Sequence, residues 1–190
     1  MPQVYMIGGP NGAGKTTSAM NLLPELLECE EYVNADAIAA ALSPFHPEAT
    51  AMQAGRLMLD RIHELSNKNI DFAFETTMAS RSFAPFLLRC KEQGYQINLL
   101  FLWLQSPELA VERVAFRVEN GGHHILEETI RRRYQRSIKN FLEIYIPLAN
   151  KWVFCDNSSE KPITIAETID GKNVVYDNDC WRNIQQGVIK

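Results

Sequence analysis

Gly9-Pro10-Asn11-Gly12-Ala13-Gly14-Lys15-Thr16 satisfies G-x-x-x-x-G-K-[ST] at every position, and its flanks decide the fold. Before it, Gln3 to Ile7 is short, β-branched and aromatic, which predicts a strand running into Gly8-Gly9-Pro10. After it, Ala19, Leu22, Leu23 and Leu26 recur at helical spacing from Lys15 onward. A glycine-rich loop in that setting turns backbone N–H groups inward, and the following helix adds the positive end of its dipole. Such a loop cradles phosphate. Gly9, Pro10, Asn11, Gly12, Ala13, Gly14, Lys15, Thr16 and Thr17 are the expected nucleotide-binding residues. Lys15 reaches for the β and γ phosphates, the Thr16 hydroxyl for magnesium, and Thr17 for a further phosphate contact.

Outward from the loop, strands alternate with helices. A second strand, Tyr32 to Asn34, ends in Ala35-Asp36, and Ser43-Pro44-Phe45-His46-Pro47 breaks the chain before a helical stretch to about Asn67. Met52, Leu59, Ile62 and Leu65 are expected to share its broad face. A third strand, Ile70 to Phe74, delivers Glu75, and a helix from Phe83 to Gln93 leads through Gly94 into Ile97 to Leu104. That last run scarcely alternates, so burial on both sheet faces is expected. Ser106-Pro107-Glu108 starts a helix to Glu119, and Asn120-Gly121-Gly122-His123-His124 ends it. A helix from about Glu127 to Asn150 precedes a fifth strand, Lys151 to Cys155, and then Asp156-Asn157-Ser158. Ile163 to Ile169 and Asn173 to Tyr176 flank Asp170-Gly171-Lys172 as a hairpin with a D-G turn. Parallel strands need crossover helices, so this order predicts a three-layer α/β P-loop NTPase fold around a mainly parallel five-stranded sheet. A helical lid over about 113–136 and a small C-terminal hairpin and tail over about 162–190 complete one expected domain, 1–190.

Composition narrows the function classes. A length of 190 residues suits one domain, and no linker or repeat divides it. With 19 Lys and Arg against 23 Asp and Glu, the net charge of -4 argues against sequence-independent binding of duplex nucleic acid. Cys29, Cys90, Cys155 and Cys180 lie far apart, without metal-ligand spacing, and Met1 to Ile7 lacks the basic and cleavable segments of a leader. A reducing, cytoplasmic setting is expected. No apolar run approaches the roughly 20 residues of a membrane span, so no membrane association is expected.

Ligands in such folds collect above the carboxyl ends of the parallel strands. That places Asp36, Glu75 with Thr76, and Asp156 in one neighbourhood. Asp36 is a candidate general base for an acceptor hydroxyl, and equally a candidate N-cap for the helix ahead of it. Glu75 could hold a magnesium-bound water or bind acceptor hydroxyls, and Arg81 could add a cation. On the helix from Pro107, the stripe Val111, Val114, Ala115 and Val118 would leave Arg113 and Arg117 paired on the opposite face. On the next helix, Ile130, Tyr134, Ile138, Phe141, Tyr145 and Leu148 form the stripe. Arg132, Arg136 and Lys139 then point to solvent, while Arg131 and Arg133 flank the stripe with guanidinium groups turned inward. A lid bearing arginines neutralises charge in phosphoryl transfer; a merely charged helical hairpin is the plain alternative.

The phosphate loop, Asn34-Ala35-Asp36, Glu75-Thr76-Thr77, Arg113 with Arg117, Gly121-Gly122-His123 and Ile130-Arg131-Arg132-Arg133-Tyr134 together resemble the zeta-toxin-like P-loop kinases. The resemblance covers roughly Pro2 to Ser158. It implies transfer of the γ-phosphate of ATP, with magnesium, to a small-molecule hydroxyl, with UDP-N-acetylglucosamine or a related sugar nucleotide as the candidate acceptor. It also implies Asp36 as base, Lys15 on the terminal phosphates, Glu75 and Thr76 on the acceptor, and Arg117 with Arg131 or Arg133 on the transferring group. An antitoxin-like protein is an implied partner. The chain is shorter than the founding toxins and its lid is spaced differently. Two other readings stand beside this one: a nucleotide-gated binding module, and a kinase of nucleic-acid 5' ends, which the net acidity disfavours.

Overall fold

The structure, a computed structural model, describes residues 1–26, 28–122 and 124–187. Its strands are β1 (Gln3–Gly8), β2 (Glu31–Val33), β3 (Phe72–Thr76), β4 (Gln96–Trp103), β5 (Lys151–Asp156), β6 (Ile163–Ile169) and β7 (Lys172–Val175). They form one sheet in the order β2-β3-β1-β4-β5-β6-β7, with seven strands rather than the expected five. β1 to β5 are parallel, and the hairpin β6–β7 adds antiparallel to β5. Asp170 and Gly171 both take left-handed backbone, as a D-G hairpin turn requires. Its turn was readable; its seat was not. A free β5 edge would expose a row of unpaired backbone groups, and the hairpin satisfies them.

The helices are α1 (Lys15–Leu26), α2 (Ala35–Leu42), α3 (Ala51–Asn67), α4 (Ala84–Glu92), α5 (Pro107–Glu119), α6 (Glu127–Asn140), α7 (Ile146–Leu148) and α8 (Asn178–Gln185). None among the described residues is long and apolar enough to cross a membrane. β1 lies between β3 and β4, which brings the loop after it to the middle of the sheet's carboxyl edge. The core is aromatic: Phe101 sits 4.6 Å from Phe141 and 5.2 Å from Phe154 by ring centroids, and Trp152 stacks on Trp181 at 5.5 Å. Phe72, Phe74, Phe101 and Phe154 are fully buried. Each such ring contributes about 1.5–3 kcal/mol of burial.

Four expectations need correction. The third strand starts at Phe72, not Ile70, and continues through Glu75 and Thr76; Ile70 instead offers its carbonyl to the Tyr95 hydroxyl at 2.9 Å. On α3 the buried face is Ala54, Met58, Ile62 and Leu65, whereas Met52 is 75% and Leu59 37% exposed. Met52 stands two residues before Ala54, about 200° around the helix, so it could not share that face. On α5 the buried residues are Ala110 and Val114, Ala115 is exposed, and Arg113 and Arg117 are half-buried on its flank. Finally, the helix expected over Glu127 to Asn150 passes through a π-turn at Phe141–Tyr145 and ends at Leu148. Its stripe from Ile130 to Tyr145 is buried as expected, with Leu148 half-buried.

Candidate active site

The loop after β1 is fitted against its neighbours through Gly9. There φ is +141°, and a Cβ would stand 2.2 Å from the Leu102 carbonyl oxygen on β4. Gly9→Ala should therefore lower stability by about 2–5 kcal/mol, strain and overpacking together, read as a fall in the urea midpoint. Within the loop the Ala13 N–H donates to the Pro10 carbonyl at 3.2 Å. From outside, Asn157 Nδ2 donates to the Ala13 carbonyl at 2.8 Å. Arg113 in turn donates to the carbonyls of Asn157 and Ser158 at 2.8 and 2.9 Å. The expected Arg113–Arg117 pair is thus split, since Arg113 braces the loop after β5 against the phosphate loop.

Lys15 opens α1, and its Nζ donates to the Pro10 carbonyl at 3.1 Å. Burial lowers its pKa from the ordinary 10.5; Glu75 and Asp36 pull it up, and Arg117 and Arg133 press it down. A phosphate bound there would favour the charged form and raise that pKa again. Nucleotide binding should accordingly take up protons in the alkaline range. Affinity should be full below the lowered pKa of the free protein and fall as pH rises through it, before 10.5 is reached. Calorimetric titration across alkaline pH checks this sign.

At the mouth of the loop, Thr16 Oγ1 lies 3.1 and 2.9 Å from the two carboxylate oxygens of Glu75, which is 8% exposed. Tyr32 donates its hydroxyl to Glu75 Oε2 at 2.5 Å, and Asn34 Nδ2 reaches Thr16 Oγ1 at 3.4 Å. Glu75 is turned toward Thr16. Asn34 has a second duty: its Oδ1 accepts from the N–H groups of Asp36 and Ala37 at 2.8 and 3.2 Å, making it the N-cap of α2. The cap alternative for Asp36 is thereby excluded. Asp36 stands in the first helical turn, exposed, with its carboxylate beside the pocket.

The arginines separate. Arg117 is half-buried, and its Nε and Nη2 are sealed from solvent with no hydrogen-bond partner among the described residues. The Gly122 N–H donates to the Arg117 carbonyl at 2.9 Å, which ties the loop beyond α5 to that turn; His123 lies outside the described residues. Arg133 turns inward, with Nη1 3.4 Å from Asn11 Oδ1; burial lowers its pKa and Asp36 opposes the shift. Arg131 turns outward, against expectation, and pairs with Glu108 at 2.5 Å and Glu127 at 2.8 Å. Those carboxylates hold its guanidinium on the surface. Arg81 is exposed before α4 and Thr17 is exposed on α1, neither lining the pocket.

Asn11, Lys15, Asp36, Glu75, Thr76, Thr77 and Arg133 share a pocket of about 420 Å³. Met52, Gly55, Arg56 and Leu59 of α3 form its other wall. Sequence reasoning missed that wall, although Met52 and Leu59 signal it by fitting the buried stripe of α3 so poorly. A larger groove of about 820 Å³ lies between α6 and α8 and includes no phosphate-loop residue.

Known proteins share this architecture. Crystal structures of AvrRxo1-ORF1:AvrRxo1-ORF2 with sulphate ions and with ATP superpose at TM-scores of 0.79 and 0.77, with 15% identity. In both, the match covers 97% of this chain and 63% of the other, so this chain spans less than two-thirds of that relative's length. A chain of the PezAT chromosomal toxin-antitoxin system of Streptococcus pneumoniae matches at TM-score 0.71 and 17% identity, over 97% of this chain and 78% of its own. By sequence, an uncharacterized protein of Haemophilus influenzae is 28% identical over 126 residues, 66% of this chain and 88% of the other. The family model described as Zeta toxin matches residues 1–180, from the first strand through the hairpin into α8, and the chain belongs to that family.

Proposed function

We propose that the chain is a magnesium-dependent kinase that transfers the γ-phosphate of ATP to a hydroxyl of a small metabolite, for which UDP-N-acetylglucosamine is the first candidate. One observation carries the reading: Lys15 shares a pocket with the Asp36 carboxylate, and Arg117, whose Nε and Nη2 are sealed from solvent with no hydrogen-bond partner among the described residues, presses the Lys15 pKa down. An unsatisfied buried cation is costly, and the polyphosphate of ATP is the anion that offsets it. The ATP-bound structure of the AvrRxo1-ORF1 pair supports that choice of nucleotide.

Lys15 and the backbone N–H groups of the loop hold the β and γ phosphates. The acceptor hydroxyl lies against Asp36, which takes its proton as the acceptor oxygen bonds to the γ-phosphorus and the bond to the β–γ bridging oxygen of ATP breaks. ADP leaves with that electron pair, and Arg117 and Arg133 offset the charge on the equatorial oxygens. Thr16 Oγ1 and the Glu75 carboxylate present hard oxygens at one point, a donor set that fits magnesium; when bound, the ion neutralises phosphate charge. Glu75 therefore serves the metal side, and Thr76 is left for the acceptor. Arg131 is assigned no role at the phosphate. A protein partner of the antitoxin type fits the PezAT relationship, and the free thiols at Cys29, Cys90, Cys155 and Cys180 suit the cytoplasm.

Mass spectrometry of a metabolite panel incubated with protein, ATP and magnesium tests the reading. A phosphate-sized gain on UDP-N-acetylglucosamine is expected. A gain on another metabolite would replace the acceptor, and ATP binding with no gain on any panel member would refute the kinase.

A further inference from the structure

The turn between β3 and α4 is held from far away in the chain. Thr76 and Thr77, which line the pocket beside Asp36, run directly into Met78, whose φ is +55°, a left-handed conformation uncommon for a non-glycine residue. Met78 is fully buried, and its sulfur would lie 2.3 Å from a Cβ built on Gly8, the residue that leads β1 into the phosphate loop. The strained turn is thus wedged against the base of that loop. Its backbone is then fastened at three points. The Met78 N–H donates to Thr76 Oγ1 at 3.2 Å, Asn140 Nδ2 donates to the Met78 carbonyl at 2.9 Å, and the Tyr145 hydroxyl donates to the Ser80 carbonyl. Asn140 is 4% exposed and Tyr145 fully buried; the Asn140 bond to Met78 is shielded from water, while the Tyr145 bond reaches the carbonyl of the exposed Ser80.

Asn140 ends α6 and Tyr145 ends the π-turn that follows. In an uninterrupted α-helix, residues five apart differ by about 140° in direction. One turn wound at i to i+5 lets both side chains face the same segment, and π-turns recur where function needs such a shift. The helix that supplies these two donors also carries Arg133. We propose that Asn140 and Tyr145 are positioning residues that hold the strained turn at Met78, thereby setting Thr76 and Thr77 for the acceptor and locking the acceptor side of the pocket to the arginine-bearing helix. This rests on the kinase reading only for the identity of what Thr76 and Thr77 receive; the clamp itself is a statement about the fold.

Asn140→Leu removes the donor at similar volume, and Tyr145→Phe removes only a hydroxyl, keeping the inference testable if the first variant folds poorly. Amide hydrogen exchange should rise about tenfold or more across residues 77–82 in Asn140→Leu, and less in Tyr145→Phe, with β1 and β4 unchanged. ATP affinity should hold, while the KM for UDP-N-acetylglucosamine rises and the KM for ATP does not. Unchanged exchange at 77–82, or an equal rise throughout the chain, would overturn the clamp. If the wild-type chain does not phosphorylate UDP-N-acetylglucosamine, that acceptor fails, and the exchange comparison still decides the clamp.

Discussion

Asp36→Asn should cut phosphotransfer by about 10²–10⁴-fold while leaving ATP affinity nearly unchanged. The asymmetry follows from where the residue stands. Asn34 supplies the cap of α2 through Oδ1, so replacing the Asp36 carboxylate by an amide removes no bond that holds the helix. The amide keeps the size of the side chain but cannot accept the acceptor's proton. A small stability change is expected from the lost acidic group in the first turn, worth about 0.3–1 kcal/mol. Asn34→Ala provides the contrast: it should destabilise α2 by about 1 kcal/mol and displace Asp36 with it. Undiminished turnover in Asp36→Asn would remove Asp36 from the role of base.

Arg117→Met should change stability and activity in opposite directions. Its Nε and Nη2 are buried with no partner among the described residues, and its charge repels that of Lys15, so the free protein carries unsatisfied donors at this point. Methionine fills much of the same space without the polar atoms. The nucleotide-free protein should gain about 1–3 kcal/mol, seen as a higher Tm. Phosphotransfer should fall by about 10³–10⁵-fold, the scale on which an arginine on the transferring phosphate acts. The gain in Tm produced by ATP and magnesium should also shrink. A variant less stable without nucleotide would show that Arg117 is a structural residue instead.

What the sequence discloses follows the range of the interactions concerned. The phosphate loop is contiguous, and its chemistry is written in eight adjacent residues. The hairpin turn at Asp170-Gly171 is equally local. By contrast, Tyr32 meets a carboxylate 43 residues away at Glu75, and Asn157 meets a carbonyl 144 residues away at Ala13. No spacing rule reaches that far. The lid arginines show the intermediate case. Helical periodicity sets Arg131 and Arg133 beside the stripe, but their final directions depend on neighbours: Glu108, 23 residues upstream, draws Arg131 outward, and Asn11 receives Arg133. Asp36 was ambiguous because aspartate suits both a cap and a base, and only the position of the Asn34 side chain rules out the cap. The π-turn at Phe141–Tyr145 was hidden because one extra residue in a turn scarcely disturbs the apolar pattern around it.

A pocket that moves phosphate, rather than merely holding nucleotide, is what separates a kinase from a nucleotide-gated module. Phosphorus NMR of the wild-type protein with ATP, magnesium and the acceptor identified from the panel, repeated with Asp36→Asn, addresses it directly. A new phosphomonoester resonance should grow as the γ-phosphate signal of ATP fades, and should be nearly absent in the variant. ATP signals that broaden on binding but never convert, or that convert equally fast in both proteins, would contradict it.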